Sequence, residues 1–400
     1  MIPTPAPRLL ASLSAATLAL ALTCTAVCAQ DPVVNESEVP VAKPGATSPL
    51  APIIPLSQDE YYSVNCSARG LAGVRSPSDR GEITWESTGD WKEYQSWLDE
   101  RWSYLDRVRL SAMRSWSNSA LSTIREESRT VFYPFSGPDV LYADTLFPDS
   151  KILIMAGLEP VGTMPDLAKL QADGRLGPYL NQVKTSLVTI LAASFFKTKD
   201  MKNDFNNHLV DGLVPAIAVF IARQGHTIDS LQYVTLGSDG VVHPRGVGSG
   251  APGVQITYFK GDRDNPRTVL YFQANLANDG LKSNPGYIRL MQRLAPGTTY
   301  LKAASYLLYE DYFSTMRNAI LADSLAVVED DSGIPFSYFK PDQWTVTPYG
   351  NYTGPIGLFK EHFQPDLMEY YARTPHEPLT FGSGYKFVAS GSSLLVAKKK

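Results

Sequence analysis

Two apolar stretches close together in the chain set the strongest limit on its fold. Lys151-Ile152-Leu153-Ile154-Met155-Ala156-Gly157-Leu158 is apolar without alternation, as a strand is when both faces of its sheet are covered. Just upstream, Thr130-Val131-Phe132-Tyr133-Pro134-Phe135 reads as a shorter strand and Ser136-Gly137-Pro138-Asp139 as a turn. Val140 to Phe147 then reads as one or two helical turns, closed by Pro148-Asp149. Parallel neighbours need a crossover, so strand, helix and strand in this space predict a βαβ unit.

Around that unit the pattern predicts helices at 177 to 196 and 209 to 224, then strands at 229 to 236, 254 to 260 and 267 to 274. Glycine-rich and charged turns such as Gly237-Ser238-Asp239-Gly240 and Gly261-Asp262-Arg263-Asp264 separate these strands and point to antiparallel pairing. Gly246-Val247-Gly248-Ser249-Gly250 lies between strands and reads as a hairpin, since a phosphate loop needs a helix after it. Tyr287 to Leu294 reads as a helix, Thr299 to Tyr309 as a strand, Tyr312 to Leu321 as a helix and Leu325 to Glu329 as a buried strand. The end of the chain reads as loop-rich, with a helix from Asp366 to Tyr371 and Lys398-Lys399-Lys400 as a solvated tail. The expected class is α/β, a mixed sheet with added antiparallel strands over residues 128 to 400.

An aromatic-rich helical segment, 58 to 127, precedes it and holds five of the six tryptophans, between Trp85 and Trp116. Asp90 can cap a helix whose apolar side runs Trp91, Tyr94, Leu98, Leu105, Val108 and Ala112. Trp97, Trp102 and Trp116 widen the stripe, either to stack on sugar rings or, the stronger expectation, to pack on the body of the protein.

Arg8, the apolar stretch from Leu9 to Leu22 and the small residues to Ala29 have the make-up of a cleavable secretory signal, with Val27 and Ala29 at the positions before the cut. The stretch falls short of the roughly 20 apolar residues a bilayer requires. Cys24 and Cys28 raise a lipid-anchored alternative, but the residues before each make poor lead-ins for acylation. The expectation is therefore an exported chain, periplasmic or extracellular, with no transmembrane segment after cleavage. Cys66 would then be its one cysteine, so stability has to come from the core. Residues 30 to 57, punctuated by Pro32, Pro40, Pro44, Pro49, Pro52 and Pro55, read as an extended linker. With 36 Lys and Arg against 40 Asp and Glu, a net charge of −4, no global basic field exists to hold nucleic acid.

No Gly-x-Ser-x-Gly elbow, Walker loop, His-Glu-x-x-His pair or Cys-x-x-Cys occurs in the sequence. The candidate site residues are Ser136, Asp139, Glu159 and Asp331, because carboxylates at the carboxyl ends of neighbouring strands can act as acid and base or hold a divalent cation. The same carboxylates could instead be structural, with Asp139 capping its helix, Glu159 pairing with a base and Asp330-Asp331 starting a turn. Asp139 in the first helical turn and Glu159 twenty residues on, at the tip of the next strand, resemble the nucleotide-binding half of Rossmann-like domains, including class I methyltransferases. That resemblance implies an acidic residue holding ribose hydroxyls. Ser136-Gly137-Pro138 departs from it by lacking the second and third glycines, and Pro138 lacks an N–H. The Phe132 to Asp139 block and Gly157 to Gly162, with Glu329 to Pro335 and Tyr349 to Tyr352, also resemble a family of secreted bacterial proteins that implies no particular activity.

Two functions remain open at this level. One is an envelope-associated binding or structural protein that takes a small molecule or an envelope component. The other is a hydrolase or metal-assisted enzyme working through the strand-end carboxylates; its cofactor, the ligand and the oligomeric state are left unspecified.

Overall fold

In the computed structural model, which describes residues 48–77, 83–195 and 210–400, the apolar run at 151 to 158 lies inside the sheet and is covered on both sides. Leu153 and Met155 pack into the core on one face, and Ile154 and Ala156 into the core on the other. Its neighbours divide in the same way, Val131 and Tyr133 against Phe132, and Val269 and Tyr271 against Leu270 and Phe272. Side chains alternate along a strand. Two helical layers therefore force unbroken apolarity on the strands between them.

The strands are β1 Thr130–Tyr133, β2 Ile152–Gly157, β3 Thr227–Gly237, β4 Val242–Pro244, β5 Gly250–Phe259, β6 Arg267–Gln273, β7 Gly297–Leu301, β8 Ser324–Glu329, β9 Trp344–Gly350 and β10 Ser393–Lys399. They form one sheet in the order β4-β3-β5-β6-β2-β1-β7-β8-β10-β9. The middle, β6-β2-β1-β7-β8, is parallel throughout. Beyond β6 the strands β5, β3 and β4 are antiparallel, as is β10 against both β8 and β9. From β1 the chain builds outward to β2 and β6, then returns to the other side of β1 with β7 and β8. That reversal is a topological switch point, where open α/β sheets leave a crevice at their carboxyl edge. The expected α/β class, its βαβ unit and its antiparallel additions are all present.

Helices α1 Gln58–Leu71, α2 Gly89–Leu105, α3 Ser111–Ala120, α4 Ser122–Glu127, α5 Val140–Leu146, α6 Leu167–Ala172, α7 Leu176–Ala193 and α8 Val214–Arg223 precede β3. Most of them cover the first face. Helices α9 Asn278–Ser283, α10 Gly286–Leu294 and α11 Ser314–Asp323 cover the second, and α12 Pro365–Arg373 packs near β9. None of the described helices is long and apolar enough to cross a membrane.

Several expectations need correction. Thr88, not Asp90, caps α2, with its hydroxyl accepting from the Trp91 N–H at 3.3 Å. The helical stripe does not continue to Val108, because Asp106–Leu110 is a π-turn that adds a residue to the winding. Val108 is consequently 39% exposed, while Arg109 and Leu110 face inward. The strand expected over Thr299 to Tyr309 stops at Leu301. Left-handed backbone at Ala303, Ser305 and Tyr306 turns the chain away from the sheet there.

At the other end of the chain, Lys398 and Lys399 belong to β10 and are no solvated tail. Lys399 donates to the Leu321 carbonyl at 3.0 Å and also to that of Ala322, at the end of α11. The proline-rich segment is strapped to the sheet where it is described. Val242 donates to the Pro49 carbonyl at 2.8 Å and the Gln255 amide to that of Ala51 at 3.0 Å. The signal reading of 1 to 29, with Cys24 and Cys28, and the linker up to residue 47 lie outside the described residues.

Candidate functional site

The carboxyl edge of the parallel strands opens into a cleft of about 140 Å³. Its floor comes from β1, α5 and the end of β7: Tyr133, Ser136, Asp139 and Lys302. Glu159 lines it beyond β2, and Asn275 and Leu276 beyond β6. Two aromatic pairs flank the apolar part. Phe135 and Phe313 meet edge to face at 5.6 Å, as do Phe195 and Tyr385 at 5.1 Å.

Asp139 holds the floor together. It caps α5, with Oδ1 accepting from the Tyr142 N–H at 3.2 Å, while Oδ2 accepts from the Tyr133 hydroxyl at 2.7 Å and the Lys302 ammonium at 2.6 Å. Lys302 also donates to the Ser194 carbonyl and lies 3.9 Å from the centre of the Tyr142 ring. Behind it, Arg109, turned inward by the π-turn, donates to the Tyr142 hydroxyl at 2.8 Å and to the Phe387 carbonyl at 3.2 Å. Burial weakens the hold of Lys302 on its proton, against the pull of Asp139. Burial likewise pushes the Asp139 carboxyl up, against the pull of Lys302. Each group stabilises the charge of the other, and the low-dielectric surroundings oppose both.

Glu159 is buried, and its carboxylate folds back over the end of β2. A side chain at Gly157 would place Cβ 2.6 Å from Glu159 Oε2 and 2.9 Å from the Tyr271 hydroxyl, so only glycine leaves the carboxylate that space. Tyr271 donates to the Glu159 carbonyl at 2.8 Å and fixes the turn.

The sequence candidates divide. Ser136, Asp139 and Glu159 line the one cleft, whereas Asp331 is not among its lining residues. Ser136 directs its hydroxyl at the carbonyls of Ala156 and Gly137, each at 3.2 Å. A nucleophilic serine directs its hydroxyl at a base. Asp331 accepts from the Tyr306 hydroxyl at 2.8 Å, and its carboxyl is pushed up to about 6 by burial and the adjacent Asp330 charge. Asp330 accepts from the N–H groups of Ala303 at 2.8 Å and Ser332 at 3.0 Å, tying β8 to the turn after β7. Among the described residues no group of three or more His, Cys, Asp or Glu side chains is placed to hold a metal ion.

Sequence reasoning passed over Lys302, whose signal was a lone charge inside the apolar run Tyr300-Leu301-Lys302-Ala303-Ala304. It also passed over the backbone. Among the described residues five that are not glycine have left-handed φ: Phe135, Ser194, Ala303, Ser305 and Tyr306. Phe135, Ala303 and Ser305 line the cleft, Tyr306 follows directly, and Ser194 carries the carbonyl that receives Lys302. Such conformations cost on the order of 1–3 kcal/mol each and gather where a site is held in a particular shape. Against known proteins this chain stands apart: no family description, no curated protein and no solved structure matches it.

Proposed function

We propose that this is an exported binding protein that takes a small, hydroxylated, uncharged molecule of the sugar or nucleoside kind into the cleft at the switch point. The observation that carries the reading is the left-handed backbone around that cleft, which Phe135, Ala303 and Ser305 line, with Tyr306 directly after them and Ser194 carrying the carbonyl that receives Lys302. The parallel order β6-β2-β1-β7-β8 supports it, being the order in which doubly wound sheets place nucleotide-type ligands beside the first strand. Glu159 comes two residues after β2, and in the Rossmann-like domains that the sequence resembles an acidic residue after the second strand accepts ribose hydroxyl hydrogens. The aromatic pairs offer apolar faces for a planar or pyranose ring.

A phosphate does not suit the site. The start of α5, where such a group would sit in a dinucleotide enzyme, is filled by the Asp139 carboxylate and preceded by Pro138, which has no N–H to give. Calorimetry with ribitol, ribose, adenosine and adenosine monophosphate tests the reading. Adenosine or a pentose should bind, the monophosphate more weakly, and Glu159→Gln should weaken the neutral ligands by about 1.5–3 kcal/mol, the range for a hydrogen bond to a charged group. Absence of binding across the panel, or an unchanged affinity in Glu159→Gln, overturns it. Export rests on the composition of residues 1 to 29, and the intact mass of protein recovered outside the cytoplasm should match a chain beginning at Gln30. An acylated cysteine at its N-terminus would contradict this.

A further inference from the structure

A lysine and an aspartate removed from water are an expensive floor for a cleft that merely binds. Exchanging such a pair for apolar side chains of similar volume is often neutral or stabilising, so a purely structural need is met more simply. The Lys302 ammonium stands 2.6 Å from Asp139 Oδ2 at the base of an open, largely apolar cavity. Arg109 adds a second positive charge behind the Tyr142 ring. Burial eases the proton off Lys302 against the pull of Asp139 and, more weakly, Asp330, and Arg109 adds a smaller push in the direction of burial. Desolvation and a neighbouring cation are the two ways in which a lysine becomes a nucleophile near neutral pH.

We propose that Lys302 captures the carbonyl carbon of a hydroxylated aldehyde or ketone, such as an open-chain sugar, as an imine in this cleft. The inference rests on the binding reading above and adds the chemical group that distinguishes the ligand. The ammonium first gives a proton to Asp139 Oδ2, the carboxylate it is paired with. The freed amine lone pair then closes on the carbonyl carbon while the C=O π pair moves to oxygen, and Asp139 returns a proton to that oxygen. Loss of the resulting hydroxyl with one of the two N–H protons releases one water and leaves the C=N bond as a protonated imine beside the Asp139 carboxylate. No oxidant or reductant enters. Tyr133, donating to the same Asp139 oxygen at 2.7 Å, keeps the carboxyl in line with Lys302 through the transfer. Asn275, Ser305 and Glu159 are further polar residues of the lining.

The test is reductive trapping on the unaltered protein. Glyceraldehyde and cyanoborohydride are added at pH 7, and the modified lysines are mapped by mass spectrometry over time. Lys302 should be labelled about tenfold or more faster than the exposed Lys92 and Lys282. That advantage should shrink as the pH is raised to 9, because amines in water lose their protons as the pH rises, whereas burial has already eased the proton off Lys302. Lys302→Met should lose the fast label and keep the slow ones, and the measurement on unaltered protein stands even if this variant folds poorly. An unlabelled Lys302, or one that follows the pH profile of the surface lysines, overturns the proposal. Ribitol, which has the hydroxyls and no carbonyl, separates the two readings. If ribitol or adenosine binds and Lys302 stays unlabelled, only the imine falls; if nothing in the panel binds and Lys302 stays unlabelled, the binding reading falls with it.

Discussion

At the scale of single residues, burial governs the charged groups of the carboxyl edge. Asp331 is the clearest case, because its carboxyl is raised to about 6 by burial and by Asp330, against Lys386 and the Tyr306 hydroxyl. A carboxyl whose pKa is raised by folding binds more protons in the folded state. Its contribution to stability is full below the unfolded value, near 3.9, and is lost as the pH rises through about 6. Asp331→Asn should therefore flatten the fall in urea midpoint between those two values, with Glu329 and Asp330 still titrating beside it. An identical slope in the variant would count against this account. Asp139 and Glu159 were legible in the sequence because turn residues and an acidic tip follow apolar strands. Lys302 was not, because its strand looked longer than it is. What cut the strand short was the backbone of Ala303, Ser305 and Tyr306, residue types that carry no sequence mark for left-handed φ.

At the scale of elements, the aromatic helix shows where periodicity can be trusted. The stripe Trp91, Tyr94, Leu98 and Leu105 is buried as its spacing requires, and the indole N–H of Trp91 donates to the Gly70 carbonyl at 2.9 Å. Trp116 lies in the same core and Trp97 and Trp102 pack half-buried against it, the stronger of the two expectations for these three. Trp91→Ala should cost about 3–5 kcal/mol by chemical denaturation. Val108→Ala, on the outward side of the π-turn, should change stability by no more than about 0.5 kcal/mol. Equal losses would mean that the π-turn does not reset the helix face. A one-residue change in winding is invisible to a search for residues three and four apart, so Arg109 escaped notice although it braces the floor of the cleft.

At the scale of the whole molecule, apolar runs and turn chemistry made the α/β class and the βαβ unit readable, whereas strand order was not. Nothing local in Ser393–Lys399 announces that it will lie between β8 and β9, since lateral order is decided by contacts between residues distant in the chain. Strand β1 has the same property, and it bears on the time course of folding. One of its neighbours, β2, follows after a short crossover, whereas the other, β7, begins only at Gly297. Between the two events β1 presents a bare row of N–H and C=O groups on a strand apolar on both faces, an edge that pairs readily with another chain. Closing the loop to β7 is slow because the contact is non-local, whereas association between chains accelerates with concentration. Refolding by dilution from urea should recover less native protein as the final concentration rises, and a yield independent of concentration would show that β7 docks before that edge can be found.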